Sequence, residues 1–200
     1  MKKNLLIITW SILMLHKVNA QSKTGMENYS FLSTGQTYVW MPIVHHVSKT
    51  GFYTEMRYNY EALQTGSLYM GKSFSKKGAV NYTITPMLGI VAGEFNGGAI
   101  AMNMDVTIKK IAASIQTQYT INKDTAKNNF FFNWSELTYQ PQRWFYAGIS
   151  TQQTIVNKER LMSEYGILAA LIIKKLTIPV YVFNPLSKTQ NFIIGVNAMW

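Results

Sequence analysis

The chain has 200 residues, 19 Lys+Arg against 9 Asp+Glu, a formal net charge of +10, 48% hydrophobic residues and no cysteine. That length holds one domain, and the missing cysteines exclude disulfides and thiolate metal or redox sites. The basic balance implies anionic surroundings, but the lysines sit mostly at turn positions (Lys49, Lys76-Lys77, Lys109-Lys110, Lys174-Lys175). They form no stripe interleaved with aromatics, so no nucleic-acid partner is expected.

In chain order, the first feature is Met1-Lys2-Lys3, followed by the apolar run Leu5 to Leu15 and the small residues around Val18-Asn19-Ala20. A basic start, a short apolar run and a small-residue site mark a secretory signal peptide, with cleavage expected after Ala20. The run is too short for a membrane helix, and no cysteine follows it to carry a lipid. The expected organisation is a signal peptide over 1–20 and one exported domain over 21–200. Removing Lys2, Lys3 and Lys17 takes the charge from +10 to +7.

Beyond residue 20 the recurring unit is a segment of about ten residues with alternating hydrophobicity, the mark of a transmembrane barrel strand. Such segments run at Gln36–Val47, Phe52–Leu63, Ser67–Ser75, Asn81–Ala92, Gly98–Ile108, Ile111–Ile121, Phe130–Tyr139, Arg143–Thr154, Tyr165–Ile173, Leu176–Phe183 and Asn191–Trp200. Phe52–Leu63 alternates most plainly. Phe52, Met56, Tyr58 and Tyr60 fall on one face, and Glu55, Arg57, Asn59 and Glu61 on the other. Val39, Met41, Ile43 and Val47 form the apolar register of the preceding strand. Gly166–Ile173 and Leu176–Phe183 are apolar on both faces, which points to a partly filled interior. Bacterial single-chain barrels close with an even strand number. Asn28–Thr34 therefore supplies a twelfth strand, or one segment is split too many and ten remain. Short and long connections alternate, as periplasmic turns and outer loops do. The expectation is an all-β, antiparallel outer-membrane barrel of about twelve strands. A secreted soluble barrel that binds a ligand is the alternative architecture.

Phe192, Ile194, Val196, Ala198 and Trp200 share one face of the last segment. That ending resembles the signal read by the outer-membrane barrel assembly machinery, which the resemblance makes a partner. Arg57-Tyr-Asn-Tyr-Glu61, Thr85-Pro-Met-Leu-Gly89 and Phe132-Asn-Trp-Ser-Glu-Leu-Thr-Tyr139 are similar to stretches in small outer-membrane barrels of the Bacteroidetes type. The resemblance implies the barrel architecture and location in the Gram-negative outer membrane, and it assigns no catalytic residue.

The lumenal candidates are Glu55, Arg57, Glu61 and Asp105, joined by Glu136 and Arg143. Charges on the interior face either line a polar path for a small solute or pair with one another and fill the barrel. A lipid-modifying enzyme using His46 or His45 is the competing function. Adjacent strand residues point to opposite faces, and neither histidine lies in a nucleophile motif. The same divergence argues against a metal site, and Gly97-Gly98 precedes no helix that would bind phosphate; no cofactor is expected. The many aromatics (Trp40, Phe52, Tyr53, Tyr58, Tyr60, Phe130, Phe131, Phe132, Trp134, Tyr139, Trp144, Phe145, Tyr146, Trp200) read as girdles at the two membrane interfaces. Outer-membrane lipids and lipopolysaccharide are the partners the lysines imply.

Overall fold

A computed structural model describes residues 22–33, 38–156 and 160–200; the segment expected to be a signal peptide lies outside them. The strands are β1 (Lys23–Ser33), β2 (Val39–Val47), β3 (Phe52–Tyr58), β4 (Thr65–Lys72), β5 (Phe74–Lys76), β6 (Asn81–Gly93) and β7 (Gly97–Ile108). They continue as β8 (Ile111–Asn122), β9 (Phe130–Gln142), β10 (Phe145–Val156), β11 (Arg160–Ile173), β12 (Leu176–Phe183) and β13 (Asn191–Met199). A 3-10 turn, Ala126–Asn128, sits in the connection between β8 and β9. Each strand pairs antiparallel with its neighbour, and β1 pairs with β13 from Gly25↔Met199 to Ser33↔Asn191 to close the sheet on itself.

β4 and β5 occupy one position in the wall, because both pair with β6 in the same register (Gly71↔Met87, then Phe74↔Ile84). The barrel is therefore twelve-stranded. Pro86 stands opposite the interruption and has no N–H to give to the ladder. The Ser73 N–H bonds instead to the Gly51 carbonyl at 2.8 Å. β12 and β13 show the same gap between Thr177↔Asn197 and Val180↔Ile194, at buried Pro179.

The faces follow the period of two. Leu88, Ile90, Ile100, Ile149 and Ile167 point outward and are more than half exposed. An apolar band continuous around a closed wall is stable against hydrocarbon and not against water. Two aromatic rings border the band: Phe52, Phe74, Tyr82, Tyr139, Trp144 and Trp200 near one rim, and Tyr38, Trp40, Tyr58, Tyr119 and Tyr165 near the other, all exposed. Tyr53, Tyr60, Phe130, Phe132, Trp134 and Tyr146, expected in the girdles, instead pack in or against the interior clusters.

Two strand readings need correction. β3 ends at Tyr58, because Asn59 (φ 58°) and Gln64 (φ 52°) take left-handed backbone and turn the chain. Tyr60 and Glu61 thus belong to a loop that dips inward. In β2, Met41 and Ile43 face inside, opposite Tyr29 and Glu27, while Trp40 and Val44 face lipid. Inward aliphatic residues are tolerated there because Tyr29, Trp134 and Ile193 pack against them.

Candidate functional site around Arg57

Arg57 and Glu55 project inward from β3 and are both buried. Arg57 Nε donates to Glu55 Oε1, and Tyr53 Oη donates to Glu55 Oε2. Arg57 Nη1 donates to Gln118 Oε1 at 2.7 Å, reaching across the lumen from β3 to β8. Glu61 Oε1 lies 3.7 Å from Nη1 and accepts from Tyr69 Oη at 2.7 Å. The guanidinium carbon is 4.3 Å from the ring centroids of both Tyr60 and Tyr69, so two π faces flank a single cation. Tyr60 Oη also donates to Gln116 Oε1 at 2.9 Å. An arginine suits this place because its fork serves Glu55 and Gln118 at once while its plane stacks on rings.

A second brace is aromatic. Tyr29 and Trp134 rings are 5.4 Å apart across the lumen, as are Trp134 and Tyr181. Trp134 Nε1 donates to Ser150 Oγ at 2.8 Å, and Tyr181 Oη donates to Glu136 Oε1 at 2.9 Å. Together the two braces occupy the middle of the barrel. Asp105 also faces inward, opposite Thr83 and Ser114, yet is exposed, so water enters from the short-turn end.

The structure thus brings Glu55, Arg57 and Glu61 together, sets Glu136 against Tyr181, and leaves Asp105 in the watery part. Arg143 departs from the lumenal expectation: it stands exposed in the turn after β9, where a chain reversal points side chains away from the interior. Sequence reading missed Gln118, Tyr69 and Glu27. Glu27 accepts from Tyr29 Oη at 2.8 Å and lies 3.5 Å from His45. Gln118 and Tyr69 do fall on the inward register of their strands, and that parity was the available signal.

The histidines divide between faces. His45 stacks on Tyr53 inside, next to Glu27. His46 lies outside, with Thr24 Oγ1 at 2.9 Å and Ser22 Oγ at 3.1 Å. The carboxylate and the hydroxyls thus sit on opposite sides of the wall, and no hydroxyl–histidine–carboxylate relay is assembled at either among the described residues. Phe192, Ile194, Val196 and Trp200 all face outward and are exposed.

A closed, twelve-stranded antiparallel wall with a lipid-facing band and a polar lumen has the fold of an outer-membrane porin. Among solved structures, the KdgM porin superposes with a TM-score of 0.63 at 12% identity, covering 87% of this chain and 98% of that one. The NanC porin gives 0.60 at 8% identity, with the same coverage. Omp33 of Acinetobacter baumannii gives 0.50 at 8% identity, covering 92% and 100%. No protein-family model and no curated protein matches the chain.

Proposed function

We propose that this protein is a narrow outer-membrane channel for small neutral or cationic solutes, held shut in this conformation by the Arg57 brace. The observation that carries the reading is the charge of the lumen. Glu27, Glu55, Glu61, Asp105, Glu136 and Glu164 face it, against Arg57, His45 beside Glu27 and, at the rim, Lys23 among the described side chains. An acidic lining raises the local concentration of cations and repels anions. One of the similar structures is the KdgM porin in complex with an oligogalacturonate. A polyacid of that kind does not suit the acidic lumen here.

The short turns lie at the rim that holds Lys23 and Trp200, which in such barrels faces the periplasm. Lys49, Lys76, Lys77, Lys109, Lys110, Arg143, Lys174 and Lys175 are all at that rim. Contact with lipopolysaccharide, on the opposite leaflet, falls instead to Lys123, Lys127 and Lys188 of the long loops. The export signal over 1–20, recognition of Phe192, Ile194, Val196 and Trp200 by the assembly machinery, and kinship with Bacteroidetes barrels complete the proposal.

Planar-bilayer recordings test it. We expect rare, small openings for the wild type, a reversal potential with cation preference in a KCl gradient, and larger, longer openings for Arg57→Ala. Silence from both proteins would favour a second reading, a plugged structural barrel. The buried Tyr29, Trp134, Tyr181 and Phe183 cluster is the specific feature in favour of that alternative. Unchanged lipid A and phospholipid mass spectra for His46→Ala are expected; a lost modification would revive the enzymatic reading.

A further inference from the structure

We propose that the short-turn rim carries a specific binding site for an anionic glycerophospholipid of the leaflet on that side. The site is the groove between the β7–β8 and β9–β10 turns, of about 450 Å³, lined by Lys109, Lys110, Gln140, Pro141, Gln142 and Arg143. Its lining holds three cations and no carboxylate. The two turns are tied together rather than floating. Gln140 N–H bonds to the Lys110 carbonyl at 2.8 Å, and Lys110 Nζ donates to the Pro141 carbonyl at 2.9 Å.

The turn backbone holds the first lysine of each pair in an uncommon conformation. Lys109 has φ 54°, and Lys174 in the matching turn after β11 has φ 57°. Tight hairpins favour Asn or Gly at such positions, because a side chain is strained in left-handed backbone. Each turn nevertheless carries a lysine there.

What selects a lipid over a free anion is the surface below the groove. Ile108, Ile111, Tyr139 and Trp144 point outward there and are exposed, and Ile111 sits beside Tyr139 in the ladder. A phosphodiester in the groove would meet the two ammonium groups and the Arg143 guanidinium, the last able to bind it in a bidentate way. Its acyl chains would lie along Ile111 and Tyr139, with the Trp144 ring at headgroup depth. The apolar strip gives a lipid what inorganic phosphate lacks. The site is independent of whether the lumen conducts.

Native mass spectrometry of the detergent-purified protein tests the assignment. Phosphatidylglycerol, phosphatidylcholine of the same chains, and inorganic phosphate are the probes. The variants are Lys109→Gln/Lys110→Gln/Arg143→Gln and, as a rim control, Lys76→Gln/Lys77→Gln, each checked for folding by heat-modifiable gel migration. We expect one retained phosphatidylglycerol in the wild type, about 100-fold weaker binding in the groove triple, and wild-type binding in the control. Phosphate at millimolar concentration leaves the lipid bound. Equal weakening in both variants would mean diffuse attraction by the rim. Equal retention of phosphatidylcholine, or displacement by phosphate, would likewise overturn the site. Should the triple variant fail to fold, brominated phosphatidylglycerol replaces it as a probe. Quenching that Trp144→Phe abolishes supports the site, and quenching that it leaves intact overturns it.

Discussion

At Arg57 the balance between attraction and desolvation is settled by the number of partners. A buried ion pair alone often contributes nothing, because stripping water from both charges costs about what their attraction returns. Here the guanidinium also bonds Gln118 and lies between two tyrosine rings, so its donors and its faces are both used. Arg57→Ala would leave Glu55 and Glu61 buried without their cation, and we expect a loss of about 3–5 kcal/mol. Urea unfolding in detergent micelles, followed by tryptophan fluorescence, measures it. Arg57→Lys keeps the charge without the fork or the plane and should recover only part of the loss. Alternation alone placed Glu55 and Arg57 on the interior face. It could not place Tyr60, because two left-handed residues, Asn59 and Gln64, turn the chain where a continued strand would have sent the ring to lipid. Nor could it pair Arg57 with Gln118, 61 residues later, since register across a lumen is set by closure of the whole wall.

Between neighbouring strands a common device supports these braces. Gly25, Gly89, Gly166 and Gly195 face inward, each opposite a ring on the adjacent strand: His45, Tyr69, Phe183 and Tyr29. A Cβ on Gly89 would stand 2.5 Å from the Tyr69 ring, and one on Gly25 2.3 Å from His45. The missing side chain lets the ring lie flat on the neighbouring backbone and extend over the lumen. Gly89→Ala should therefore push Tyr69 off Arg57 and destabilise the barrel by about 1–3 kcal/mol, again read by urea unfolding. Strand existence and facing were legible in segments such as Ile111–Ile121, where Ile111, Ile115, Tyr119 and Ile121 fall on one face and Ser114, Gln116, Gln118 and Thr120 on the other. The apolar doubling of Gly166–Ile173 and Leu176–Phe183 also signalled a filled interior, and Leu168, Tyr181 and Phe183 do fill it. The glycine–ring pairing was not legible. It depends on which residues stand side by side, and a single strand contains no record of its neighbour.

Over the whole molecule, one face answers to hydrocarbon and the other to water and to itself. Leu88 is 65% exposed near the centre of β6, while its neighbour Met87 is 3% exposed. Leu88→Arg should cost about 2–4 kcal/mol, the penalty for an arginine on the lipid face near the bilayer midplane. Equilibrium unfolding from phospholipid vesicles measures this, and a soluble barrel would absorb the same change at its surface. Charge is distributed just as unevenly. The rim of short turns is almost purely cationic and the lumen acidic, so an approaching ion meets opposite fields on the wall's edge and inside it.

The closing seam between β1 and β13 has its own consequence for how the chain comes to be folded. Asn197 Nδ2 bonds Tyr29 Oη at 3.2 Å, joining residues 168 apart in sequence. Every other neighbouring pair in the wall is linked by a hairpin, so its partners meet early. This one must wait for the whole chain. Until β13 arrives, β1 and β12 both present bare N–H and C=O groups, the kind of edge that recruits other chains. Closure of the wall therefore passes through an interval in which a nearly complete sheet has two unprotected sides.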